Sequence, residues 1–93
     1  MIERRYVVIE RFDHEDGSSD WEKTILPETT TRRTAFHAAG KKVVEHMNAR
    51  EHCNIELVFA DVFIEDEYTD ELGAVHTIGY LQDDYEHIIS WDT

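Results

Sequence analysis

The apolar positions divide this chain into short β-type runs and one helical stretch. From Arg5 to Phe12, the β-branched residues Val7, Val8 and Ile9 stand between Tyr6 and Phe12, a run that predicts a strand. His14-Glu15-Asp16-Gly17-Ser18-Ser19-Asp20 combines an Asp-Gly step with serines and predicts a turn, after which Trp21 to Leu26 reads as a second strand ended by Pro27. Thr29-Thr30-Thr31 offers hydroxyls for a helix N-cap, and Phe36, Gly40, Val43, Val44 and Met47 then recur at helical spacing as far as about Asn48. A glycine inside a helix costs about 1 kcal/mol relative to alanine, so Ala39 and Gly40 are expected to let this helix lie close against a sheet.

Ile55 to Glu65 carries Leu57, Val58, Phe59, Val62, Phe63 and Ile64 in one run and predicts a third strand. Residues 66–73 read as a hairpin tip, Ala74 to Leu81 as the return strand, and Asp83-Asp84 as a tight turn into a last strand from Tyr85 to Trp91. The expected order is β-β-α-β-β-β. That is a single α+β domain over residues 1–93, an antiparallel sheet of about five strands with one helix packed on one face. Alternation sends Val58, Ala60, Val62 and Ile64 to one face and Leu57, Phe59 and Phe63 to the other, so both faces are partly apolar. One helix covers one face, and the other needs a second copy, a partner or a curled edge of the same sheet. Leu57, Phe59 and Phe63 are the candidate homodimer face, to which Trp21, Tyr80 and Trp91 could contribute.

Charge changes the picture more than composition does. A hydrophobic content of 41% excludes a disordered acidic tail despite a net charge of -12. All nine Lys and Arg fall in residues 1–50, where nine acids balance them, whereas residues 51–93 hold twelve acids and no fixed positive charge. Such a polyanionic half repels nucleic acid and anionic membrane, so direct binding of either is not expected. It attracts basic proteins, above all those that normally hold a phosphate backbone. The candidate partner-binding residues are Asp61, Glu65, Asp66, Glu67, Asp70 and Glu71 on the second hairpin, joined by Asp83, Asp84 and Glu86 at the following turn. Carboxylates sharing one face of a strand stand about 6.6 Å apart, on the scale of the phosphate spacing along one DNA strand. The plainer reading is a solvated acidic face that keeps a small sheet soluble. Adaptation to high salt is a further reading, and segregation of the acids argues against it, because such adaptation spreads acids over the whole surface.

Specific chemistry is sparse. There is no Gly-rich phosphate loop, Gly-x-Ser-x-Gly elbow or His-Glu-x-x-His, so neither catalytic residues nor a cofactor are expected. Glu45-His46, Glu51-His52 and Glu86-His87 are neighbours of the kind that many acids produce by chance. His46, His52 and Cys53 form the tightest metal-like grouping but match no common zinc spacing, so no metal is expected either. The favoured roles are a helix C-terminal interaction for the two histidines and a buried apolar position for Cys53. Residues 65–71 lack the order of an EF-hand loop. The N-terminus has no apolar stretch behind Arg4-Arg5, the longest apolar runs fall far short of the ~20 residues that span a bilayer, and one cysteine supports no internal disulfide. A soluble cytoplasmic protein is the expectation.

In character, though in no motif, the chain resembles small acidic virus-encoded inhibitors of host defence, the anti-CRISPR and anti-restriction proteins, some of which resemble nucleic acid electrostatically. The leading expectation is a non-enzymatic interaction protein whose acidic C-terminal hairpins block a basic, nucleic-acid-binding site on a partner. The alternative is a homodimeric structural or assembly subunit whose acids serve solubility or salt adaptation.

Overall fold

The computed structural model describes the backbone of residues 2–92 and the side chains of all of these except residues 2, 64–67, 77–80, 82–85 and 88–92. It has the elements β1 (Ile2–Asp13), β2 (Ser19–Ile25), α1 (Arg32–Asn48), β3 (Cys53–Thr69) and β4 (Val75–Asp92). The strands form one antiparallel sheet in the order β2-β1-β3-β4, with α1 crossing from β2 to β3 over one face. The architecture is the α+β arrangement expected. Its last two expected strands are one continuous strand, because the Asp83-Asp84 step is a bulge in β4 and not a turn. Ala60 pairs with Tyr85 and Val62 with Leu81, so residues 82–84 stand opposite Asp61 alone.

The two hairpin turns are built alike. In the first, the His14 amide donates to the Ser18 carbonyl and the Gly17 amide to the His14 carbonyl. In the second, Asp70 and Ala74, and Gly73 and Asp70, make the same two bonds. Both need a left-handed residue at the fourth position, supplied by Gly17 at φ 87° and Gly73 at φ 86°. An imidazole six residues from a carboxylate clamps each turn, His14 Nε2 to Asp20 Oδ2 at 2.8 Å and His76 Nε2 to Asp70 Oδ2 at 2.7 Å.

Helix α1 begins at a reciprocal cap. The Thr34 amide donates to the Thr31 hydroxyl and the Thr31 amide to the Thr34 hydroxyl. It ends in a Schellman motif, in which the Arg50 amide donates to the Met47 carbonyl and the Glu51 amide to the His46 carbonyl. Arg50 sits at φ 56°, the left-handed position where glycine is the usual occupant. The buried stripe differs from the expected one. Ala35 and Ala39 are completely buried, with Phe36, Ala38 and Val43 partly so, while Val44 and Met47 point outward. Alanine brings the helix close to the sheet. Gly40 does not contribute to that approach, since a β-carbon there would meet nothing within 4 Å.

Two apolar clusters lie on opposite faces of the sheet. Val8, Leu26, Cys53, Ile55 and Leu57 pack beneath Ala35 and Ala39, and Val7, Ile9, Val58, Ala60 and Val62 form the second cluster, flanked by Ile25 and Leu81. Every buried member of the second cluster is at most 5% exposed although no helix covers it. This cluster is buried within the single chain, with Ile25 and Leu81 packed against it, and the β3–β4 pairing beside it carries three register irregularities. Of the expected dimer stripe, Leu57 is the residue whose placement differs from the expectation. Leu57 lies wholly buried under α1, and Phe59 and Phe63 are half-buried, with Phe59 packed on Tyr6 at 4.7 Å between ring centroids and Arg4 over its ring. Trp21 is exposed on β2, where Arg11 stacks over it, and the side chains of Tyr80 and Trp91 lie outside the described residues. No helix is long and apolar enough to cross a membrane among the described residues.

Candidate interaction surface

Among the described residues β1 pairs with β3 as far as Ile2–Phe63, while β3 and β4 continue paired to Thr69–Val75. Beyond Phe63 the described sheet is a two-stranded arm, about 20 Å long for six residues at ~3.3 Å each. The arm is longer than expected because β3 runs on from Glu65 through Asp66-Glu67-Tyr68-Thr69, which read as part of the hairpin tip, and the turn sits at residues 70–74. Paired opposite those acids are Ile78 and Thr77, β-branched residues that suit a strand.

The expected contact residues fall into three groups. Glu65, Asp66 and Glu67 belong to the arm by backbone position, and their side chains lie outside the described residues, as do those of Asp83 and Asp84 in the β4 bulge. Glu71 is exposed at the tip, and Glu86 is exposed on β4 opposite Phe59, beside a shallow depression that Tyr6, Arg32, Phe59 and His87 also line. Asp61 and Asp70 are already engaged. Asp61 takes the Arg4 Nε–H at 3.1 Å at the foot of the arm. Asp70 accepts the Leu72 amide at 2.9 Å, the Ala74 amide at 3.0 Å and the His76 ring. The His76 hydrogen bond first, and then the Ala74 amide, hold its carboxyl below the usual range. Asp70 is thus the fastening of the turn.

The tip also carries apolar surface that charge counting does not reveal. Leu72 is 95% exposed, Tyr68 and Val75 are more than half exposed, and Tyr68 stacks on His76 with centroids 4.9 Å apart. Tyr68, Leu72 and Val75 thus leave apolar surface in water at the end of the ribbon.

A second constellation lies inside the fold. Glu10 on β1 is 4% exposed and faces the helix side of the sheet. His46, in the last turn of α1, places Nε2 2.6 Å from Glu10 Oε2 and Nδ1 2.7 Å from Glu51 Oε2. Both ring nitrogens meet carboxylate oxygens, so both donate and the ring is an imidazolium. Burial pulls its pKa down, but the hydrogen bonds to Glu10 and Glu51 outweigh that and raise it. For Glu10, burial pushes up, and the His46 hydrogen bond with Lys42 beside it prevails and lowers the pKa. Lys42 Nζ stands 3.1 Å from Oε1, near enough for charge attraction but out of line for a hydrogen bond. Cys53 is buried on the same face, its thiol pushed up first by burial and then by the Glu10 charge. His52 is exposed and takes no part.

Sequence reasoning grouped His46 with His52 and Cys53 but assigned the group no metal, and it gave Glu10 and Lys42 no role. Glu10 shares the alternation of Tyr6, Val8 and Phe12, so a carboxylate at a core-facing position was the available signal. Comparison with protein-family models, with curated proteins and with solved structures returns no match to this chain.

Proposed function

We propose that the chain is a non-enzymatic interaction protein whose β3–β4 arm docks on a basic, nucleic-acid-binding surface of a partner protein and blocks it. The observation that carries this reading is the arm: a two-stranded ribbon paired with no other described strand, bearing Glu65, Asp66, Glu67 and Glu71 and no lysine or arginine, with Leu72 exposed at its end. Carboxylates along the ribbon answer the cations that line a groove built to hold a phosphate backbone. Leu72 and Val75 then supply apolar contact area, while Asp70 keeps the turn in shape. The role is that of a competitive inhibitor of the phage-encoded kind, acting in a reducing cytoplasm where Cys53 remains a thiol.

The test is capture of partners from nuclease-treated lysate by wild type and by the variant Glu65→Lys/Asp66→Lys/Glu67→Lys/Glu71→Lys, which spares Asp61 and Asp70. A nucleic-acid-binding protein retained by wild type, released by added DNA or RNA and lost from the variant supports the reading. Retention of the same partner by the variant overturns it.

A further inference from the structure

We propose that Glu10, His46 and Cys53 form a binding site for a divalent metal ion of the zinc class. One ligand atom from each side chain lies within 4.8 Å of the others, and the three come from different elements: β1, the last turn of α1 and the first residue of β3. Zinc takes nitrogen, sulfur and carboxylate oxygen at about 2.0–2.3 Å, which at tetrahedral angles puts donor atoms roughly 3.5 Å apart. To hold an ion the His46–Glu10 contact, 2.6 Å, must open and the longer separations, up to 4.8 Å, must close toward that spacing.

Two further features point to a metal. Glu51 Oε2 accepts from His46 Nδ1, which fixes the ring so that Nε2 faces Glu10 and the interior, the carboxylate–histidine relay that commonly stands behind a zinc ligand. The Schellman motif holds Glu51 there through the hydrogen bond that its backbone amide donates to the His46 carbonyl. The second feature is Glu10 Oε1, a carboxylate oxygen in a side chain more than nine-tenths buried that receives no aligned hydrogen bond. Lys42, the cation beside it, is on a partly exposed stem that can swing to solvent as an ion enters.

The exchange balances. Before binding, the Glu10 carboxylate offsets the His46 imidazolium and Cys53 carries its thiol proton. The ion displaces the proton on Nε2 and the proton on Sγ, releasing about two protons, and the positive charge of the ion is matched by one carboxylate and one thiolate. Exposed His-Asp pairs such as His76–Asp70 offer only two donors each and no sulfur.

Cobalt(II) is the probe, added under reducing conditions. A thiolate-to-cobalt charge-transfer absorption with the strong visible bands of four-coordinate cobalt, removed by one equivalent of Zn2+, is the expected result. Cys53→Ser should lose the charge-transfer absorption. Glu51→Gln, a change at a half-exposed position that leaves all three ligands in place, should keep it while weakening Zn2+ binding 10–100-fold against a chromophoric chelator. Absence of the thiolate absorption from the wild-type protein overturns the site, as does Zn2+ affinity that neither Glu51→Gln nor His46→Gln alters.

Discussion

Glu10 is the one charged side chain that is buried among the described residues, and its surroundings set how stability depends on pH. Its own pKa is lowered, so its contribution is present above the ordinary carboxylate range and is lost as pH falls through the lowered value. His46 is raised, so its contribution is complete below about pH 6.5, the ordinary histidine value, and disappears as pH rises through the raised value. The pair is therefore strongest between the two ranges. Urea unfolding of wild type and His46→Gln at pH 6 and pH 8.5 should show an advantage for wild type that shrinks at the higher pH; a constant difference would contradict the imidazolium assignment. His46→Ala at pH 6 should cost about 3 kcal/mol, because it leaves the Glu10 carboxylate buried with Lys42 alone. None of this was visible from local spacing, since Glu10 and His46 are 36 positions apart and meet only when α1 lies across β1 and β3.

At the scale of elements, β1, β2, α1 and β3 could be read from periodicity and turn chemistry, and their ends shifted by a few residues. The helix face could not, because the expected stripe relied on large apolar residues whereas packing selected the small ones, Ala35 and Ala39. The Asp83-Asp84 step misled for a related reason. Paired acids favour turns in isolation, and a bulge accommodates the same residues when the flanking segments are β-prone. The glycines test this placement with opposite signs. Gly40→Ala fills open space on a helix and should stabilise by about 0.5–1 kcal/mol, whereas Gly17→Ala and Gly73→Ala force an alanine to positive φ and should destabilise by about 1 kcal/mol or more. Thermal unfolding of the three variants distinguishes the cases, and a stability loss in Gly40→Ala would show that the helix does use the glycine for close approach.

At the scale of the whole molecule, charge segregation places like charges along an arm about 20 Å long, while the bases stay in the first 50 residues. The Debye length is ~10 Å at 0.1 M salt and ~3 Å at 1 M, so neighbouring carboxylates on the arm repel at the lower concentration and are screened at the higher one. Folding should therefore gain from salt, and the midpoint of thermal unfolding should rise between 0.1 M and 1 M NaCl. Neutralising Glu65→Gln/Glu67→Gln/Glu71→Gln should raise the midpoint in 0.1 M NaCl and reduce the further rise with salt. Binding to a basic partner runs the other way, because the same screening weakens attraction across an interface. An acidic surface that serves solubility alone shows the first trend without the second. The two trends measured in one buffer series, stability rising as capture falls and both flattened by the same three substitutions, assign a single set of carboxylates to both effects. A capture that survives 1 M salt would shift the weight of binding from these acids to Leu72 and Val75 at the tip, the apolar contacts that salt does not weaken.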